Sequence, residues 1–306
     1  MRRLPAAAAS LGLVALALVG CSAAQTPTCD RTASVGDIGD LVTVEGEPGQ
    51  RPDADVPSPL RISSLQYQDV VTGDGTTIVS SNQGLDLGLT LINGTTGETI
   101  VDLGYDGQSA LSAIDAYAQT IPAFDEVLHC ATAGSRIVAG LAEGDIAPTV
   151  LETFGVDEGT PVVAIIDVRD VLLSAANGAE QFNESHGLPT VVRAPDGRPG
   201  IIVPEAEAPD AAVIQTLKRG DGATIEDGDT VYVHFSSVSW DDPAATLQTS
   251  WDAAPQPVTL APGDDPVLNA LRGATIGSQI LLVAPPTADA TDGPTVYVFD
   301  VLGTLG

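Results

Sequence analysis

Basic residues are scarce. Twelve Lys and Arg stand against 41 Asp and Glu in 306 residues, a formal charge of −29. A surface of that sign repels a phosphate backbone, so nucleic acid is not an expected partner. Aromatic residues make up only 4%, and the chain has one Met and three Cys. No Cys-x-x-Cys occurs, and His129, His186 and His234 are scattered, so the ligand spacing of a zinc site is missing and neither metal nor cofactor is expected. Acidic clusters such as Asp264-Asp265 lack the loop pattern of an EF-hand and read as solvated loops. What is present points to a folded chain, because 43% hydrophobic and 17% charged residues can bury a core. With 32 Gly and 22 Pro, turns are frequent and long helices few, which favours a β-rich architecture.

Arg2 and Arg3 precede an apolar run from Leu4 to Val19, too short and too Ala-rich for a membrane span. It ends in Leu18-Val19-Gly20-Cys21, which resembles the lipobox of a bacterial lipoprotein signal. The resemblance implies cleavage before Cys21 and lipidation of its thiol. Residues 1–20 are then a signal, 21–60 a lipidated N-terminus and tether, and the protein sits on the extracytoplasmic face of the cell membrane. An ordinary secretory signal with Cys21 as a spectator is the other reading. Outside the cytoplasm a Cys29–Cys130 disulfide is expected; a buried Cys130 beside an exposed, inert Cys29 is the alternative.

The chain repeats itself. Gly73-Asp74-Gly75 recurs as Gly220-Asp221-Gly222, Ala131-Thr132-Ala133-Gly134-Ser135-Arg136 as Ala274-Thr275-Ile276-Gly277-Ser278-Gln279, and Ile166-Asp167-Val168 as Phe299-Asp300-Val301. Order and strand placement agree, and the shortening offset puts a loss of about ten residues before the last strand of the second copy. Val42 to Pro59 and Val191 to Pro209 also match, each leading strand-like residues into Pro-rich spacers. Residues 61–173 and 209–306 are therefore two copies of one mostly antiparallel fold, and 174–208 is a linker.

In the second copy, Gly220-Asp221-Gly222, Gly228-Asp229-Thr230-Val231-Tyr232-Val233-His234-Phe235, Thr249-Ser250-Trp251-Asp252, Leu271-Arg272-Gly273-Ala274-Thr275-Ile276-Gly277-Ser278, Pro285-Pro286 and Val298-Phe299-Asp300-Val301-Leu302 follow in order. Their order and spacing resemble those of FKBP-type peptidyl-prolyl isomerases over nearly all of residues 213–305. The resemblance implies an α+β fold of two FKBP-like domains, each an antiparallel β-sheet wrapped around a short helix. The helices fall near Pro266 to Leu271 and near Ala123 to Cys130. It also implies an isomerase acting on proline-containing exported polypeptides, as a monomer and without a cofactor.

Twisting an X–Pro amide breaks conjugation across a barrier of roughly 18–20 kcal/mol and makes the amide less polar. A dry apolar cleft favours the twisted form without nucleophile or metal. Carried over position by position, the resemblance puts Phe235, Gln248 and Phe299 at the catalytic positions. Leu247, Val258, and Val267 or Leu268 line the substrate cleft. Phe235 stands where the family has a tyrosine, Gln248 where it has an aspartate, and Val267 or Leu268 where it has a tryptophan. A loop tyrosine has no aromatic counterpart in Thr287 to Thr295. The first copy departs further, with Leu89 at the aromatic position, and is expected to be a spacer or binding module. A tandem binding module whose pocket has decayed is the alternative to an isomerase.

Overall fold

The structure is a computed structural model that describes residues 29–107, 111–183, 186–244, 246–286 and 293–304. Cys21, the signal segment and most of the connection after Pro286 lie outside the described residues. Residues Met1–Asp30 form one unit and Arg31–Gly306 another. Cys29 and Cys130 are both disulfide-bonded. No helix among the described residues is long and apolar enough to cross a membrane.

The first half runs β1 Ser34–Val35, α1 Ile38–Leu41, β2 Thr43–Glu45, β3 Asp53–Asp55, β4 Gln66–Val71, β5 Gly84–Asn93, β6 Thr99–Leu103, β7 Leu111–Ala113, α2 Ile114–Ala118, α3 Phe124–Leu128, β8 Arg136–Leu141, α4 Pro148–Thr153 and β9 Val162–Val171. The second runs β10 Ala179–Glu180, β11 Thr190–Arg193, β12 Pro199–Ile202, β13 Val213–Arg219, β14 Thr230–Ser239, β15 Thr246–Thr249, β16 Gln256–Thr259, α5 Pro266–Leu271, β17 Gln279–Ala284 and β18 Thr295–Thr304. The first sheet has the order β1-β4-β8-β9-β5-β6 with β7 on β5, and the second β10-β13-β17-β18-β14-β15 with β16 on β14. The two orders are the same strand for strand, and their pairings are antiparallel. The fold is thus the duplicated α+β arrangement expected, with short helices against each sheet.

The repeated sequence motifs do the same work in both halves. A Cβ on Gly73 would meet the Ala133 carbonyl at 2.0 Å, and one on Gly220 the Ile276 carbonyl at the same distance, so both positions admit only glycine. Thr132 Oγ1 donates to the Gly73 carbonyl at 2.8 Å and Thr275 Oγ1 to that of Gly220 at 2.7 Å. Gly-Asp-Gly is the docking partner of the Ala-Thr-x-Gly-Ser turn.

Residues expected as tether and linker are folded. The hairpin β2–β3 and its flanks lay Val42, Val44, Ala54 and Val56 on the outer face of the first sheet against Val138, Val163 and Ile165. The hairpin β11–β12 and its flanks lay Leu188, Val191, Ile201 and Val203 against Leu281, Val283, Val296 and Val298 of the second. The alternating burial of β11 and β12 gives each an inner apolar face, which is why they pack instead of spacing the domains. Both faces of each sheet are consequently buried, and the central strands read as near-continuous apolar runs.

Candidate functional site

The second core cluster lies on the inner face of its sheet. Period-two alternation points Val231, Val233 and Phe235 of β14, Phe299 and Val301 of β18, and Ile280 and Leu282 of β17 into it, while intervening residues face the β11–β12 hairpin. Phe235 and Phe299 are cross-strand partners. Their ring centroids are 6.0 Å apart at 38°, within the range of a favourable tilted pair. Tyr297, two residues before Phe299, stacks on it at 5.6 Å and 8°. Val258 of β16 joins the same cluster through its pairing with Val231.

α5 closes the other side. Asp265 is its N-cap, accepting from the backbone N–H of Val267 at 2.8 Å and of Leu268 at 3.2 Å, and Pro266 supplies a preset first turn. Positions 267, 270 and 271, three and four residues apart, put Val267, Ala270 and Leu271 onto the sheet. Asp265, read from sequence as part of a solvated loop, thus fixes where the helix starts. Burial pushes the Tyr297 hydroxyl above its ordinary pKa, and the nearby Asp265 carboxylate adds to the effect, so Tyr297 is a protonated donor across the physiological range.

Of the expected site residues, Phe235, Phe299, Val258 and Val267 come together in this one cluster. Leu268 is half-buried on α5 but lies outside it. Leu247 and Gln248 are exposed on β15, the outermost strand of its sheet, with Leu247 46% exposed. A bulge at Ser237/Val238 leaves Leu247 without a partner, whereas Gln248 pairs with Ser237, which in turn pairs with Tyr297. Gln248 therefore belongs to the rank Gln248–Ser237–Tyr297, two residues along the strands from the Phe235–Phe299 rank. Sequence reasoning passed over Tyr297, Ile280 and Leu282; the alternation running back from Phe299 marks Tyr297.

Trp240 and Trp251 are both buried. Trp240 packs under the hairpin with its Nε1–H donating to the Ala206 carbonyl at 3.0 Å. Trp251 stacks on His234 at 4.7 Å on the reverse face of the sheet. Neither belongs to the inner cluster.

The first half packs more helix onto the corresponding face of its sheet. Leu89 and Ile166 occupy the paired positions of Phe235 and Phe299, and Tyr117, Phe124, Val127, Leu128, Val150 and Leu151 from α2, α3 and α4 pack onto them. Phe124 is fully buried, and Tyr117 lies 6.3 Å from it. The connection carrying α4 occupies residues 142–161, while its counterpart occupies only 285–294. The connection is ten residues shorter, as the repeat offsets implied.

No protein-family model matches the chain, and no curated protein matches it. Among solved structures it is similar to the three FKBP domains of wheat FKBP73, at 8% identity over 79% of this chain and 95% of that one, with a TM-score of 0.34. It is similar to the N-terminal domain of FKBP42 from Arabidopsis thaliana at 12% identity over 41% and 98%, with a TM-score of 0.31. FkpA from Escherichia coli matches at 17% identity over 35% of this chain and 47% of that one, with a TM-score of 0.28. At such scores the overlap carries no functional argument; the residues of the inner cluster must supply it.

Proposed function

We propose that the protein is a peptidyl-prolyl cis-trans isomerase whose reaction takes place between α5 and the inner face of the second sheet. The observation that carries this reading is the aromatic pair Phe235–Phe299 backed by aliphatic side chains and facing α5. A proline ring seated there leaves water behind, and an amide that loses charge separation as it twists is favoured by such surroundings relative to water. The cleft's polar groups lie at the rim, where they hold a peptide without reacting with it. Weak turnover is expected, because Gln248 is exposed and offers no carboxylate.

The lipobox-like Cys21 then anchors the enzyme outside the cell membrane, and a Cys29–Cys130 bond fastens the anchor segment to the folded chain. X–Pro isomerisation takes tens of seconds and limits the folding of many polypeptides, so exported proteins are the fitting substrates. A Cys21→Ala chain is expected in the soluble fraction; retention in membranes contradicts the anchor. The activity itself is tested with a protease-coupled assay on the full chain. A rate above the uncatalysed reaction supports the isomerase. Peptide binding without any rate enhancement favours a tandem binding module, the reading to which the missing carboxylate points.

A further inference from the structure

We propose, resting on the isomerase reading, that Tyr297 is a substrate-binding residue whose hydroxyl donates a hydrogen bond to the carbonyl of the bound proline itself. Three observations meet at this side chain. Its ring is held nearly parallel to Phe299 and belongs to the apolar cluster, so it is fixed at the end of the Phe235–Phe299 pair. It is half-buried, and its hydroxyl has no hydrogen-bond partner among the described residues. The Asp265 carboxylate, which acts on it electrostatically, already accepts from two backbone N–H groups of α5. An ordered phenol standing idle in an apolar cleft is poised for a ligand acceptor.

The chemistry of amide rotation selects which acceptor. A donor on the carbonyl of the rotating bond draws electron density toward oxygen, strengthens conjugation and favours the planar ground state. A productive donor must hold a carbonyl outside that bond, and the proline's own carbonyl is the nearest one. Such a bond is equally strong before and during rotation, so it lowers KM and leaves kcat alone.

The test uses the full chain, with Tyr297→Phe retaining the stacked ring and removing only the hydroxyl. The probes are a proline-containing tetrapeptide and its analogue with the proline carbonyl reduced to methylene. Loss of one net hydrogen bond predicts a rise of about 3- to 10-fold in Kd and KM for the tetrapeptide, with kcat within about twofold and no change in Kd for the methylene analogue. Unchanged Kd and KM for the tetrapeptide overturn the assignment and leave the isomerase reading standing. A fall in kcat at constant KM also overturns it, since the hydroxyl then acts on the rotating bond. A wild-type chain that neither binds nor turns over the tetrapeptide defeats both.

Discussion

The aspartate of each repeated apolar-Asp-Val triplet is a latch. In the first half Arg136 and Asp167, both almost wholly buried, form two hydrogen bonds of 2.6 and 2.7 Å. The remaining guanidinium N–H groups donate to the carbonyls of Gly46, Glu47 and Gln50, while Gly49 N–H donates to Asp167, so one ion pair clasps the tip of the β2–β3 hairpin. In the second half Gln279 replaces that arginine, donating to Asp300 at 2.7 Å and accepting from Arg193, which the hairpin itself supplies. The sequence displayed the triplets and their strands, but not that the cation had moved from sheet to hairpin. Arg136→Met leaves Asp167 charged and buried, and is expected to cost about 3–5 kcal/mol in denaturant unfolding. A loss below 1 kcal/mol contradicts the latch.

Asp300 also sets a pH dependence. Burial raises its pKa to about 6, opposed by hydrogen bonds from Ala176 and Gln279 and by the charges of Lys218 and Arg193. Its cross-strand partner His234 is pushed down to about 4, first by burial and then by Arg198. The raised Asp300 binds its proton more tightly when folded, so its contribution to stability falls as pH rises from 3.8 to about 6. The lowered His234 binds its proton less tightly when folded, so its contribution rises as pH rises from about 4 to 6.5. Each amounts to about 3 kcal/mol, and the two nearly cancel. Asp300→Asn is expected to uncover the histidine slope, with stability decreasing as pH drops from 6.5 to 4. Parallel stability curves for variant and wild type in that window exclude the pairing.

At the scale of elements, the family resemblance placed α5 and the hairpins were missed. The structure has the helix at Pro266–Leu271, but its cap, Asp265, was read from sequence as a solvated loop. The hairpins were hidden because Val191 and Ile201 are interleaved with exposed Val192 and Ile202 and flanked by prolines, so nothing local separates a packed ribbon from an extended spacer. Only the apolar outer face of β17 and β18 asks for a cover. A chain beginning at residue 209 exposes Leu281, Val283, Val296, Val298 and Trp240, which are buried beneath the hairpin. Removing residues 174–208 from the second half is expected to leave it aggregating or unfolded where residues 174–306 fold cooperatively. Equal melting temperatures for the two fragments contradict this.

For the whole molecule, duplication was legible and its asymmetry was not. Three matched motifs and a shrinking offset placed both copies, and the identical strand orders follow from them. Among the described residues, the first copy packs α2, α3 and α4 into its inner cluster and the second packs α5, a difference no repeat motif records. The cleft residues differ likewise. Phe235 and Phe299 followed from motif alignment, but the exposure of Gln248 follows from β15 being an edge strand, a property of topology that no local pattern reveals.

The single-cleft account is tested most directly by isomerisation rates of the full chain, measured beside Phe235→Leu and Leu89→Val with melting temperatures recorded for each. Both substitutions trim a side chain at the equivalent point of a repeat, each at a cost of about 1 kcal/mol that a folded domain tolerates. The account predicts a wild-type rate above the uncatalysed reaction that falls at least about threefold in Phe235→Leu and is unchanged in Leu89→Val. A wild-type rate equal to the uncatalysed one, or equal losses in the two folded variants, contradicts it.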